Sequence, residues 1–86
     1  MGLFTLFGFT VKGIDYSNSK QGTPYAIINL ENLARGEYVT ILDFELVKLG
    51  DKRVTSLLEG KCYNITVEFK KEYNYILLRW YQEIKF

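Results

Sequence analysis

Eighty-six residues allow one small domain and no second core. Apolar residues make up 48% and charged residues 24%, a balance that excludes a disordered chain. The formal charge is +1, so a basic surface must be local, since the whole molecule will not draw polyanions from a distance.

The residue inventory removes several kinds of chemistry. There is no histidine and one cysteine, Cys62. Imidazole or paired-thiolate metal sites and intrachain disulfides are therefore excluded within one chain, and no metal or other cofactor is expected. Cys62 lacks the usual base partner of a thiolate nucleophile and reads as a buried structural residue in a reduced, cytoplasmic protein. Met1 to Phe9 is apolar but short, without the charged start of a signal peptide, and Lys12 ends the run. Leu6 stands where a myristoylation pattern needs Ser or Thr.

In chain order, β-branched and aromatic residues punctuated by turn residues predict strands throughout. The first strand covers Leu3 to Tyr16, with Gly8 and Gly13 marking bulges or bends. Ser17 to Pro24 is a polar hairpin loop, and Tyr25 to Leu33 the second strand. Ala34 to Glu37 connects tightly to a third strand, Tyr38 to Leu49. Within Gly50 to Gly60, residues 54–59 are compatible with one helical turn capped by Thr55 or Ser56. Lys61 to Phe69 is the fourth strand, Lys70 to Asn74 a hairpin tip, and Tyr75 to Phe86 the fifth strand. Five glycine-bent strands with a longer connection after the third predict an all-β domain over 1–86, a five-stranded OB-fold-like small barrel. An SH3-like barrel is the competing plan.

Alternation assigns faces. Ala26, Ile28 and Leu30 should face the core, leaving Tyr25 and Ile27 partly exposed. Leu42, Phe44 and Leu46 are the expected core row of the third strand, and Tyr63, Ile65, Val67 and Phe69 that of the fourth. In the last strand, Ile76, Leu78 and Trp80 oppose Tyr75, Leu77, Arg79 and Tyr81, and both rows are largely apolar. One row is core, and the other meets a partner or a ligand.

Seven tyrosines exceed what so small a core needs, because each buried hydroxyl must find a partner. Half-exposed tyrosines beside Lys12, Lys20, Arg35, Lys70, Lys71 and Arg79 would form a stacking platform edged by phosphate contacts. The run Ser19-Lys20-Gln21-Gly22-Thr23-Pro24-Tyr25-Ala26-Ile27 condenses this: a cation on a turn, then a strand that opens on an aromatic. Catalysis without histidine would rest on carboxylates such as Asp15, Asp43 and Glu45, of which only Asp43 and Glu45 share a face. A non-enzymatic role is expected.

The same run resembles the Ser-Arg-Gln-Gly-Lys-Pro-Tyr-Ser-Leu of the gene V family, the single-stranded-DNA-binding proteins of filamentous bacteriophages. Gly36-Glu37-Tyr38 is similar to that family's Asn-Glu-Tyr, and Gly60-Lys61-Cys62-Tyr63 to its Gly-Leu-Tyr. Phe69-Lys70, Tyr73 and Leu77-Leu78-Arg79 follow its Phe-Lys, Phe and Met-Ile-Asp-Arg succession. The resemblance implies a dimeric OB-fold protein that coats single-stranded DNA. Lys20 and Arg79 would then meet phosphate, and Tyr25, Ile27, Tyr38 and Tyr73 would touch bases. Tyr73 would sit on a hairpin reaching DNA bound by a neighbouring subunit. The chain departs from the pattern at Asp43, near the family's DNA-contacting lysine, and in its apolar first strand. The function expected is DNA replication in a phage or mobile element, with single-stranded DNA or RNA and a second copy as partners. The alternative is a protein-interaction module or accessory subunit of a replication or conjugation complex.

Overall fold

The structure, a computed structural model, describes residues 2–85. Met1 and Phe86, which bound the first and last predicted runs, lie outside the described residues. Seven strands follow in order: β1 (Gly2–Asn18), β2 (Pro24–Asn32), β3 (Glu37–Asp43), β4 (Val47–Leu49), β5 (Lys52–Val54), β6 (Cys62–Lys70) and β7 (Tyr75–Glu83). The domain is all-β. Its main sheet has five strands in the order β1-β2-β3-β7-β6, and β1 pairs with both β2 and β6, which closes it. All its pairings are antiparallel except the seam between β3 and β7, which is parallel and registers Leu42 against Leu77.

One long strand serves two neighbours because it is bent. Gly2 to Thr10 pairs with β6 and Thr10 to Asn18 with β2. Extra residues interrupt β1 between Leu6 and Phe9 and again between Val11 and Gly13, beside the two glycines that mark bends in the sequence. Gly8 needs its glycine, with a φ of 67°. Its N–H donates to Asn64 Oδ1 (3.0 Å), so β6 holds the bulge in place.

The core is built from Phe9, Val11, Ala26, Ile28, Leu30, Ile41, Leu57, Tyr63, Ile65, Val67 and Leu78. The core rows expected of β2 and β6 are the observed ones, with Phe69 at the exposed end of its row. Tyr63 is fully enclosed. Its hydroxyl accepts from Leu58 N–H (2.9 Å), its ring meets Tyr81 edge-on at 5.5 Å, and burial pushes its pKa up.

Three sequence expectations need correction. The first concerns β3, whose inward row is Ile41 and Asp43, flanked by half-buried Val39; Leu42 and Phe44 face outward, while Leu46, past the end of the strand, packs against the core as expected. Asp43 misleads the alternation because it is a buried carboxylate, 3% exposed. Its Oδ2 accepts from the Thr55 hydroxyl (2.6 Å) and its Oδ1 from Glu45 N–H (2.9 Å). With both bonds made, burial of the group is tolerated.

The second concerns residues 44–61. β3 stops at Asp43 rather than Leu49, the β4–β5 hairpin occupies residues 47–54, and residues 55–61, where the helical turn was expected to continue, run without helix. Thr55 is no helix cap: its Oγ1 accepts from Leu57 N–H (3.4 Å) while donating to Asp43, and Leu57 plugs the core. The third concerns β7. Thr66 lies opposite Trp80 and Val67 opposite Leu78, so Arg79 is an extra, bulged residue. The bulge exchanges the two rows, sending Trp80 outward and Tyr81 onto the core. Cys62 is half-buried rather than enclosed.

Replacing Asp43 with alanine leaves the Thr55 hydroxyl and the Glu45 N–H without their acceptor. The expected loss is about 1–3 kcal/mol in urea unfolding, the cost of stranding buried polar groups. A variant as stable as the parent would show that the Asp43–Thr55 tie contributes nothing.

Candidate nucleic-acid interface

The outward residues of β2 and β3 pair across the strands: Ile27 with Leu42, Asn29 with Thr40, and Glu31 with Tyr38. Beyond Ile27 and Leu42 this face becomes aromatic. Tyr25 stacks on Phe44 with centroids 4.8 Å apart, and Phe44 meets Tyr75 at 6.2 Å. Tyr75 in turn stacks on Tyr73 at 5.6 Å, with the planes 14° apart. Four rings thus cross the closing seam, from β2 over the end of β3 to β7 and its hairpin tip. Leu77 is 8% exposed yet stands outside the core cluster, because it is on the outer side, in register with Leu42 beneath this row. Each ring pair contributes about 0.5–1.5 kcal/mol beyond its buried area.

The turn before β2 presents Lys20. Gly22 N–H donates to Ser19 carbonyl oxygen, Ser19 N–H to Thr23 carbonyl oxygen, and Thr23 N–H to Ser19 Oγ. Gly22, at φ 84°, permits the bend. A cleft of about 340 Å³ runs between this turn, Phe44 and Arg53 of β5. The turn, one ring of the row and a cation that the sequence reading passed over therefore share a wall.

At the other end of the face, Lys12 sits at the second bulge of β1. Its ammonium lies 5.8 Å from the Tyr38 ring centroid and 3.8 Å from a Glu31 oxygen. Tyr38 is 65% exposed. Thr40 donates to Asn29 Oδ1 (2.9 Å), and Asn29 lines a cleft with Lys12 and Tyr38.

The eight residues expected at the interface are thus distributed unevenly. Tyr25 and Tyr73 belong to the ring row, Ile27 flanks it, and Lys20 is exposed in the turn that leads into β2. Lys12 and Tyr38 form a separate station at the far end of the same face. Arg35 is in the β2–β3 turn, where it pairs with Glu37 (3.4 Å). Arg79 is held by Glu68: its Nε donates to Oε1 (2.7 Å) and Nη2 lies 2.6 Å from the same oxygen. Lys70 holds the second Glu68 oxygen at 3.3 Å. These hydrogen bonds, from Arg79 first and then Lys70, keep the Glu68 carboxyl below the usual carboxylate range. Arg79 and Lys70 are therefore partly neutralised as phosphate ligands.

Sequence reasoning missed Phe44 and Arg53. Alternation places Phe44 in the core through the same inverted row as Leu42. In the sequence Arg53 is one charge of a polar turn, and nothing there brings it to the Lys20 loop. Among the described residues, no group of three or more Cys, Asp and Glu is placed to hold a metal ion. No helix long and apolar enough to cross a membrane occurs among them. Compared with protein-family models, curated proteins and solved structures, the chain matches none.

The Glu68 arrangement has a measurable consequence. A carboxyl whose pKa falls on folding stabilises the fold above its unfolded pKa, and that contribution is lost as pH drops through the folded value. Glu68→Gln should therefore flatten the acid limb of the stability–pH curve. The same variant frees Arg79 and Lys70, so its affinity for an oligodeoxythymidylate should rise at low salt. Weaker binding by a folded Glu68→Gln variant would mean that Glu68 supports the interface instead of masking it.

Proposed function

We propose that the protein is a non-enzymatic single-stranded-DNA-binding protein built on an OB-type barrel. The observation that carries this reading is the outward ring row Tyr25–Phe44–Tyr75–Tyr73, with Arg53 across a cleft from Phe44 and the turn that bears Lys20 forming the cleft's other wall. Flat rings accept any base, and flanking cations track the backbone, which is how sequence-tolerant single-strand binding works. The strand order, with β1 shared by two neighbours and a parallel seam, is consistent with the five-stranded OB plan. Asp43 is occupied by structural hydrogen bonds, and this weakens a catalytic reading that pairs it with Glu45.

The rings divide the labour. Phe44 and Tyr75 each have a ring on both sides and act as supports. Tyr73 is 68% exposed, with one face spent on Tyr75 and the other open to a base. Tyr38, with Lys12, offers a second station. From Tyr25 to Glu31 the platform extends about 20 Å at the rise of a strand. Asp15, opposite Ile27, puts a carboxylate on the β1 flank, so the backbone of a bound strand runs on the Lys20 side. A role in phage or mobile-element replication in the host cytoplasm, as a homodimer, accords with this reading.

A second reading is favoured by a different surface. Leu3, Phe7 and Trp80 are each at least 60% exposed on the outer side of β1 and β7, around the hydrogen-bonded Thr5–Thr66 hydroxyls. Such a patch suits a protein partner, either a second copy or a replication subunit. Native mass with and without oligonucleotide separates the two: a DNA adduct supports the first reading, and a stable oligomer indifferent to DNA the second.

Titration with oligodeoxythymidylate, followed by tyrosine and tryptophan emission, tests the proposal directly. Tyr73→Ala should bind about 5- to 150-fold more weakly, the equivalent of one lost base stack, and stay folded. If Tyr25→Ala and Tyr73→Ala both bind as the parent does, the ring row is not the interface.

A further inference from the structure

We propose that the β4–β5 hairpin is a phosphate clamp in which Lys48 and Arg53 together grip the sugar-phosphate backbone of the strand lying on the ring row. This inference rests on the single-strand-binding reading above and adds to it a site on a different element.

The pairing register supplies the first observation. Lys48 stands directly opposite Arg53, while Val47 faces Val54 and Leu49 faces Lys52. Lys48 and Arg53 thus project from one face of the hairpin with like charges as immediate cross-strand neighbours. Like charges in that position destabilise a strand pair. An anion between them reverses the sign of the interaction, and a phosphodiester oxygen fits two donors of this kind.

The second observation is the absence of any internal anion. Among the described residues, Lys12, Arg35, Lys70 and Arg79 each lie within ion-pair distance of a carboxylate, whereas Lys48, Arg53 and Lys20 do not. Asp51 sits in the hairpin's own turn and pairs with neither residue. The paired cations are in part neutralised before any ligand arrives. The unpaired ones remain available.

Placement is the third. Arg53 lines the cleft whose other walls are Gln21 to Pro24, Phe44 and Leu46, so the Arg53 end of the pair adjoins both the turn that bears Lys20 and one ring of the row, with Lys48 beside it on the next strand. The hairpin is tethered at the residue that follows β5. Thr55 N–H donates to the Tyr16 hydroxyl (3.3 Å) and the Thr55 hydroxyl to buried Asp43 (2.6 Å). The clamp is therefore held beside the rings before a ligand binds, and a positioned charge loses little in ordering. Near-neutral overall charge makes such a local concentration necessary.

The test is a salt series with the full chain and a deoxythymidylate oligomer of about 16 nucleotides, a length within the range one such barrel covers. Each phosphate neutralised on a single strand contributes about −0.7 to the slope of log K against log salt. Lys48→Gln/Arg53→Gln should be shallower than the parent by about 1.4, and each single variant by about 0.7. Without ligand, the double variant should melt no lower than the parent, because a repulsion has been removed. Lys61→Gln/Lys85→Gln removes as much charge from the far end of the β6–β7 hairpin and should leave the slope unchanged. A folded Lys48/Arg53 double variant with the parent's slope overturns the clamp alone. An equal loss in the Lys61/Lys85 control also overturns it, since the effect would then be general charge. A parent that binds no oligomer at low salt overturns the single-strand reading and the clamp with it.

Discussion

The seam between β3 and β7 is the constraint on which fold and site both depend. Every other pairing in the main sheet is antiparallel and runs for several residues, whereas this parallel contact registers Leu42 with Leu77 alone. The β2–β3 pairing sets Tyr25 against Phe44, and closing the sheet at the seam brings Tyr75, more than thirty residues on, to the same row. The stack lies on the outer side of the seam, two residues along each strand from the Leu42–Leu77 pair, and Leu77 is buried. Opening the sheet at this point would separate the rings. Removing the rings would expose the least extensively paired join in the domain.

Polar ties and irregularities carry the alignment. Asp43 ends β3, faces inward and is bound by Thr55, and the chain turns there so that Phe44 faces outward. A carboxylate enclosed in this way specifies one arrangement, because any slip would leave it without partners. The bulge at Arg79 does the equivalent for β7. Because side chains alternate with a period of two, one extra residue exchanges the faces, and Tyr75 and Leu77 remain outward while Tyr81 turns in. The ring row is thus set by features that interrupt regular pairing as much as by the pairing itself.

These same features mark where the sequence is legible and where it is not. Ala26, Ile28 and Leu30 alternate cleanly with more polar neighbours, so β2 can be read without coordinates. Gly8 and Gly13 signal the bends of β1 because glycine is rare inside a strand for any other reason. The core row of β3 was inverted since Asp43 and Glu45 look like solvent-facing residues. A carboxylate buried by a hydroxyl twelve residues later leaves no local trace. The bulge in β7 is equally silent, with no glycine to announce it. For the site, Tyr25, Tyr73 and Lys20 are visible because an aromatic or a cation at a turn is conspicuous. Phe44 depends on the β3 face and Arg53 on a hairpin docking against a loop some thirty residues away, and these are tertiary facts. Arg79 shows the converse: its charge is obvious in the sequence, and the Glu68 that neutralises it becomes its partner only when β6 and β7 pair.

The central claim is that unpaired bases rest on the outward ring row of this barrel. Ultraviolet cross-linking of a thymidine-rich oligomer to the intact chain, followed by mapping of the modified peptides, tests it most directly. The account predicts adducts at Tyr73 and in the segment containing Tyr25, with a second set at Tyr38 and few elsewhere. Adducts confined to the Leu3–Phe7 and Trp80 surface, or none under conditions where the oligomer is bound, would contradict it.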